Sequence, residues 1–309
     1  MLTSRVYAFG TRKSCIRALS SSSLNPPDTS DIIPVPLAFN HFGKPTDRHH
    51  PPLIIGHGLF GHKSNWNAIA KRLQHRLGNQ VFAVDMRNHG ESPHVPEMSF
   101  PDMAADLAYF IESVVTPATG FDKVHLLGHS MGGKAACLLA LDPNHARHLK
   151  SVIVEDISPV SASRNIHFRH YIHNMKKVNL KQPRRKVGED LAHIVTNPSV
   201  RAFLLTNLVP VGDHKEEFRW KMNLDAIENH VEDVMRFTIN EGNFLGPSMF
   251  IYGEESGYLQ REDFKAIRRL FPTVRFQEIS KAGHWLHAEK PEPFMDAVVD
   301  FIKHVDHRP

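Results

Sequence analysis

Ser130 lies in Gly128-His129-Ser130-Met131-Gly132-Gly133, a G-x-S-x-G spacing. A serine hydroxyl attacks poorly until a base takes its proton, and acyl transfer also needs N–H groups ready for the oxyanion that the attack creates. Both needs can be met at this spot. A sharp strand-to-helix turn lifts such a serine clear of the sheet, and glycines at 128 and 132 avoid collisions where the neighbouring strands and helix crowd together. The N-terminus of the following helix favours developing negative charge.

The serine's partners must come from distant parts of the chain. Among 22 histidines, His284 in Gly283-His284-Trp285 is expected to be the base, because it sits on a loop after the last strand-like run. The turn Gly56-His57-Gly58-Leu59-Phe60-Gly61 follows an earlier strand and is expected to supply one oxyanion-hole N–H, from Leu59 or Phe60; Met131 supplies the other. The acid stays open. The loop after residues 247–252 reads Gly253-Glu254-Glu255-Ser256-Gly257 and lacks an Asp. Asp156 ends the strand beside the nucleophile's own, and strands are about 4.8 Å apart, so its carboxylate can reach the imidazole. It is preferred, with Ser256 as a polar helper. Asp225 is the alternative, and Glu254 and Glu255 come third. The run Asp85-Met86-Arg87-Asn88-His89-Gly90-Glu91-Ser92 reads as structural, with Asp85 and Arg87 holding the loops around the oxyanion turn.

The elements that must position these groups show in the hydrophobic rhythm. Residues 35–42, 52–55, 81–84, 123–127 and 149–154 are strand-like. They alternate with helical patterns at 64–73, 100–115 and 131–141. Such alternation implies an α/β fold with a mostly parallel sheet covered by helices on both faces. From 158 to 243 the sequence turns polar and helical, then the alternation resumes. The expected organisation is an α/β-hydrolase core at 25–157 and 244–309, with a helical cap at 158–243 inserted after strand 6. Phe168, Tyr171, Phe203, Leu204, Leu205, Leu208, Phe218 and Trp220 are its candidate acyl-pocket residues, and the basic stretch 181–186 reads as a solvated face.

Composition narrows the classes further. The chain has 309 residues, 41% of them hydrophobic, and no apolar run nears the roughly 20 residues of a spanning helix. Residues 1–24 carry Arg5, Arg12, Lys13 and Arg17, six serines and no acid, the signature of a mitochondrial transit peptide; the matrix is the expected location. Without those four cations, 33 basic residues face 33 acidic ones, so nothing points to nucleic acid. Cys15 lies in the leader and Cys137 in the body, which suits a reducing compartment.

His57-Gly58-Leu59-Phe60-Gly61, the elbow through Lys134, Asp156-Ile157-Ser158-Pro159, Leu204-Leu205-Thr206-Asn207-Leu208, Asn223-Leu224-Asp225-Ala226 and Gly283-His284-Trp285 together resemble the α/β-hydrolase domain-containing protein 11 family, over residues 36–302. The resemblance implies cofactor-free hydrolysis of esters, including acylglycerol-like lipids, with no metal. In the family's bacterial relatives the acid maps onto Asp156 assisted by a serine like Ser256; in animal members it is placed at the residue matching Asp225. A serine hydrolase acting on apolar carboxylic esters or thioesters is therefore expected. The rival reading is a weakly catalytic hydrolase-fold protein that binds an acyl group or a protein partner. An epoxide hydrolase or dehalogenase would need a carboxylate at 130, and no His has an Asp five residues later as an H-x-x-x-x-D acyltransferase would.

Overall fold

The computed structural model describes residues 32–307 apart from 45, 47, 48, 163–167 and 213. The expected transit segment lies outside these residues. Seven strands form one sheet: β1 (Phe39–Phe42), β2 (Leu53–Gly56), β3 (Val81–Val84), β4 (Val124–His129), β5 (Leu149–Glu155), then, after an insertion whose own strands are β6 (Leu208–Val211) and β7 (His214–Trp220), β8 (Ser248–Gly253) and β9 (Val274–Ile279). Their order is β1-β3-β2-β4-β5-β8-β9, and only β1 runs antiparallel to its neighbour. Strands β2, β3, β4 and β8 are buried at every residue, as a sheet with both faces covered requires.

One face packs on helices Phe100–Phe110 and Met131–Leu141, the other on helices Asn67–Leu77 and Pro291–Asp306. Helix Phe100–Phe110 starts at Ser99, which exchanges hydrogen bonds with Asp102 in a capping box, and it passes into a π-turn at Ile111–Val115. Among the described residues no helix is long and apolar enough to cross a membrane.

The insertion follows the strand Leu149–Glu155, the fifth of the described chain. It holds helices Phe168–Lys177, Arg184–Leu191, Pro198–Leu205 and Leu224–Arg236. It also contains an antiparallel hairpin, β6 with β7, that periodicity did not anticipate. The sequence of β7, His-Lys-Glu-Glu-Phe-Arg-Trp, has few strand formers. Long-range bonds hold it in place: the Phe218 N–H donates to Leu180 O at 2.9 Å and Trp220 Nε1 to Met175 O at 2.7 Å.

Register sets the site. Gly56 of β2 lies opposite Gly128 of β4, and His129 opposite Glu155 of β5. The turns leaving these carboxyl ends therefore converge, the usual place for a ligand in an open parallel sheet.

Candidate active site

Ser130 stands between β4 and helix Met131–Leu141 with φ 51° and ψ −114°, a strained geometry for a residue with a side chain. Its N–H donates to Glu155 O at 2.9 Å, which ties the elbow to the next strand. Close packing enforces the glycines. A Cβ on Gly128 would lie 2.2 Å from Gly132 O, and one on Gly132 would lie 2.5 Å from Gly56 O, so neither position admits a side chain without moving backbone.

His284 and Ser130 line one cavity of about 200 Å³. The imidazole Nδ1 lies 2.6 Å from Asp156 Oδ2. Asp156 is fully buried, has φ 51° at the end of β5, and also accepts from the Gly253 N–H at 3.1 Å and from the Ser256 hydroxyl. Three donors thus converge on one carboxylate. Tyr258 stacks on the His284 ring at 3.9 Å between centroids; Trp285 meets it edge-on at 5.5 Å.

The other acids lie apart from this arrangement. Asp225, on helix Leu224–Arg236, is 80% exposed at its side chain and pairs with Lys176 at 2.7 Å, so the structure does not bring it to His284. Glu254 and Glu255 are exposed, and Glu254 accepts from the Lys281 N–H.

The oxyanion turn is also narrowed by geometry. Phe60 (φ 62°) donates its N–H to His89 Nε2 at 3.2 Å, and its carbonyl accepts from Asn207 Nδ2 at 2.7 Å. That commitment removes Phe60 as an oxyanion donor. The Leu59 N–H has no partner among the described residues, and Met131 opens its helix, where an N–H has no intrahelical acceptor. His89 is buried, and its burial lowers its pKa to about 3. It is therefore neutral, with Nδ1–H donating to Arg87 O and Nε2 free to accept. Asp85 reaches the end of the turn through Lys63, by the backbone N–H at 2.6 Å and Nζ at 2.7 Å. Arg87 instead forms a buried two-bond pair with Asp106.

The cavity walls are apolar. Leu59, Phe60, Phe168, Tyr171, Val200, Phe203, Leu204 and Trp285 line it. Of the other candidate pocket residues, Leu208 and Trp220 are buried in the core, with Leu205 and Phe218 packed against it. The basic stretch is ion-paired at the surface, Lys181 with Glu217 and Lys186 with Asp190. Sequence reasoning missed Tyr258, His89 as a brace for the turn, and Asn207 as the link from the insertion to it. Only the Thr206-Asn207 pair, polar within an apolar run, gave a signal.

A nucleophile on a strained elbow, an imidazole held by a buried carboxylate and two uncommitted amides are what acyl transfer requires. Residues 51–291 match the family model described as alpha/beta hydrolase fold. The mouse protein named sn-1-specific diacylglycerol lipase ABHD11 is 38% identical over 91% of this chain and 90% of its own length; the zebrafish (Danio rerio) protein of the same name is 40% identical over 87% and 83%. The solved structure titled marine microorganism esterase superposes with a TM-score of 0.78 at 34% identity, covering 86% of this chain and 99% of that one. Fold and comparisons together define a serine ester hydrolase of the α/β-hydrolase class. Within that class, the chain belongs to the ABHD11 family.

Proposed function

We propose that Ser130, His284 and Asp156 are the catalytic residues of an esterase that cleaves apolar acyl esters, acylglycerols among them, through an acyl-enzyme. The observation that carries this reading is the hydrogen bond from His284 to buried Asp156 in the cavity that also holds Ser130. With Nδ1–H held by Asp156, Nε2 is left as the acceptor for the Ser130 proton. The attacking oxygen forms the acyl bond, and the carbonyl oxygen takes up negative charge at the Leu59 and Met131 amides. Each such donor is worth about 3–4 kcal/mol of barrier. His284 then returns the proton to the leaving alcohol, and water repeats the sequence to release the acid. Asp225 has no role in these steps, and no cofactor is needed.

The names of the relatives and the apolar walls support acylglycerols as substrates. The test is hydrolysis of diacylglycerols and simple alkyl esters over a range of acyl lengths, with Ser130→Ala as control. Turnover that requires Ser130 is expected, and hydrolysis retained by Ser130→Ala would overturn the assignment. Residues 1–24 support targeting to mitochondria, where a tagged full-length chain should accumulate and a chain lacking them should not.

A further inference from the structure

Each of the three proposed catalytic residues has a buried companion nearby in sequence: His129 before Ser130, Glu155 before Asp156, and His287 three residues beyond His284. All three are buried, and the register of β4 against β5 sets His129 opposite Glu155. Their surroundings are apolar. Trp66 stacks on His287 at 4.0 Å and Phe294 meets it edge-on at 6.2 Å.

We propose that His129, Glu155 and His287 form a buried layer beneath the catalytic residues that clamps the segment carrying the base, acting as positioning residues for His284. The proposal rests on the catalytic assignment above. Two bonds make the clamp. His129 Nε2 donates to the His284 carbonyl at 3.0 Å, tying the base to the end of β4. The His287 N–H and Nδ1–H both donate to Glu155 Oε1, at 3.1 and 2.8 Å, tying the same segment to the end of β5. Four residues are thus held from two strands. Apart from those ties, the segment has local bonds from the Gly283 and Trp285 N–H groups to Glu289, and the His284 ring has its contacts to Asp156, Tyr258 and Trp285; displacement of a reacting group by 1 Å can cost about a hundredfold in rate.

The protonation states agree with this geometry. Burial holds His129 and His287 neutral, each lowered to about 3, so each ring has one N–H to give. Two imidazoles and a carboxylate at this spacing could also gather a metal ion. Here the contacts of 2.8 and 3.0 Å spend the donors as hydrogen bonds instead.

A carboxyl group at 155 does something that an amide would not. Its second oxygen, Oε2, is buried without a partner, and burial raises the group to about 7. A glutamine could accept the same two bonds without the cost of a buried charge. The groups facing Glu155 are His129 from β4, His287 and His284 from the loop after β9, and its chain neighbour Asp156. When ionised, Glu155 places negative charge near His284 and favours the imidazolium that forms as Ser130 attacks.

The experiment is Glu155→Gln in the full-length protein, with kcat and KM measured on p-nitrophenyl butyrate from pH 5 to 9. Sites are counted by fluorophosphonate labelling, so that only folded enzyme enters kcat. The variant should lose about tenfold in kcat with KM within about twofold. His287 supplies the second arm. His287→Asn keeps an N–H near the place of Nδ1 and should stay within about threefold of wild type, whereas His287→Ala should lose tenfold or more. Wild-type kcat in His287→Ala would overturn the proposal, as would equal losses in the two His287 variants, and wild-type kcat in Glu155→Gln would remove the role given to the charge. Ser130→Ala in parallel separates the two claims: if it is inactive while His287→Ala is unaffected, the catalytic assignment stands and the positioning layer does not.

Discussion

Replacing Asp156 by Asn and, separately, Asp225 by Asn distinguishes the two acids by a wide margin. Asp156 receives three donors, the Gly253 N–H on Oδ1 and the Ser256 hydroxyl and His284 Nδ1–H on Oδ2. An asparagine cannot satisfy all of them. With its oxygen toward Gly253, its NH2 faces His284 and forces the tautomer whose proton sits on Nε2, leaving Ser130 without a base. With its oxygen toward His284, its NH2 meets the Gly253 N–H, and a buried donor left unsatisfied costs about 1–3 kcal/mol. The inactive arrangement is therefore favoured, and kcat should fall by about 10⁴, the loss seen when the equivalent acid of trypsin is changed to Asn. The Asp225 side chain is 80% exposed and, among the described residues, is bonded only to Lys176, in an ion pair. Surface pairs contribute about 0–1 kcal/mol, so Asp225→Asn should keep kcat within about twofold. Steady-state hydrolysis by both purified variants decides the matter. A large loss in Asp225→Asn, or more than a tenth of wild-type kcat in Asp156→Asn, would refute this reasoning.

Three further outcomes follow. Gly132→Ala drives a Cβ to 2.5 Å from Gly56 O and 2.7 Å from His57 O, so it should cost about 3 kcal/mol or more and lower the melting temperature by about 10 °C; wild-type melting would contradict the close packing. His89→Ala removes the acceptor that holds the Phe60 N–H, and kcat should drop at least about tenfold with little change in KM, as for a disturbed oxyanion site; an unchanged kcat would free His89 from that role. Acid should destabilise the fold well before ordinary carboxylates titrate. His62 is lowered to about 4, and His89, His129 and His287 to about 3, by burial first, so the stability of burying them neutral is lost as pH falls below 6.5. Glu155, raised to about 7 by burial, acts oppositely between pH 4.5 and 7. At pH 5 these groups together take up about three protons on unfolding, a slope of up to about 4 kcal/mol per pH unit, and melting curves from pH 7 to 5 should fall steeply; a flat profile would contradict the burial of these imidazoles.

Local chemistry made much of the site legible. The G-x-S-x-G turn between a buried strand and a small-residue helix, the His-Gly turn after another strand and Gly283-His284 after the last one are each specified by residues adjacent in sequence. Their convergence follows from parallel register at Gly56, Gly128 and Glu155. The rest depended on which of several chemically equal groups meet in space. Asp156 and His284 are 128 residues apart, and only geometry separates Asp156 from Asp225. Leu59 and Phe60 both offer an amide, and a bond from Phe60 to His89 decides between them. The hairpin of β6 and β7 escaped because its charged alternation resembles a solvated helix until its cross-strand and aromatic partners are present.

The catalytic assignment is tested most directly by treating the protein with a fluorophosphonate, measuring its intact mass and mapping the modified peptide. One adduct at Ser130, formed in step with loss of ester hydrolysis and absent from Ser130→Ala, is the expected result. Full hydrolysis by a protein labelled at Ser130, or an adduct on another residue that alone tracks the loss of activity, would contradict it.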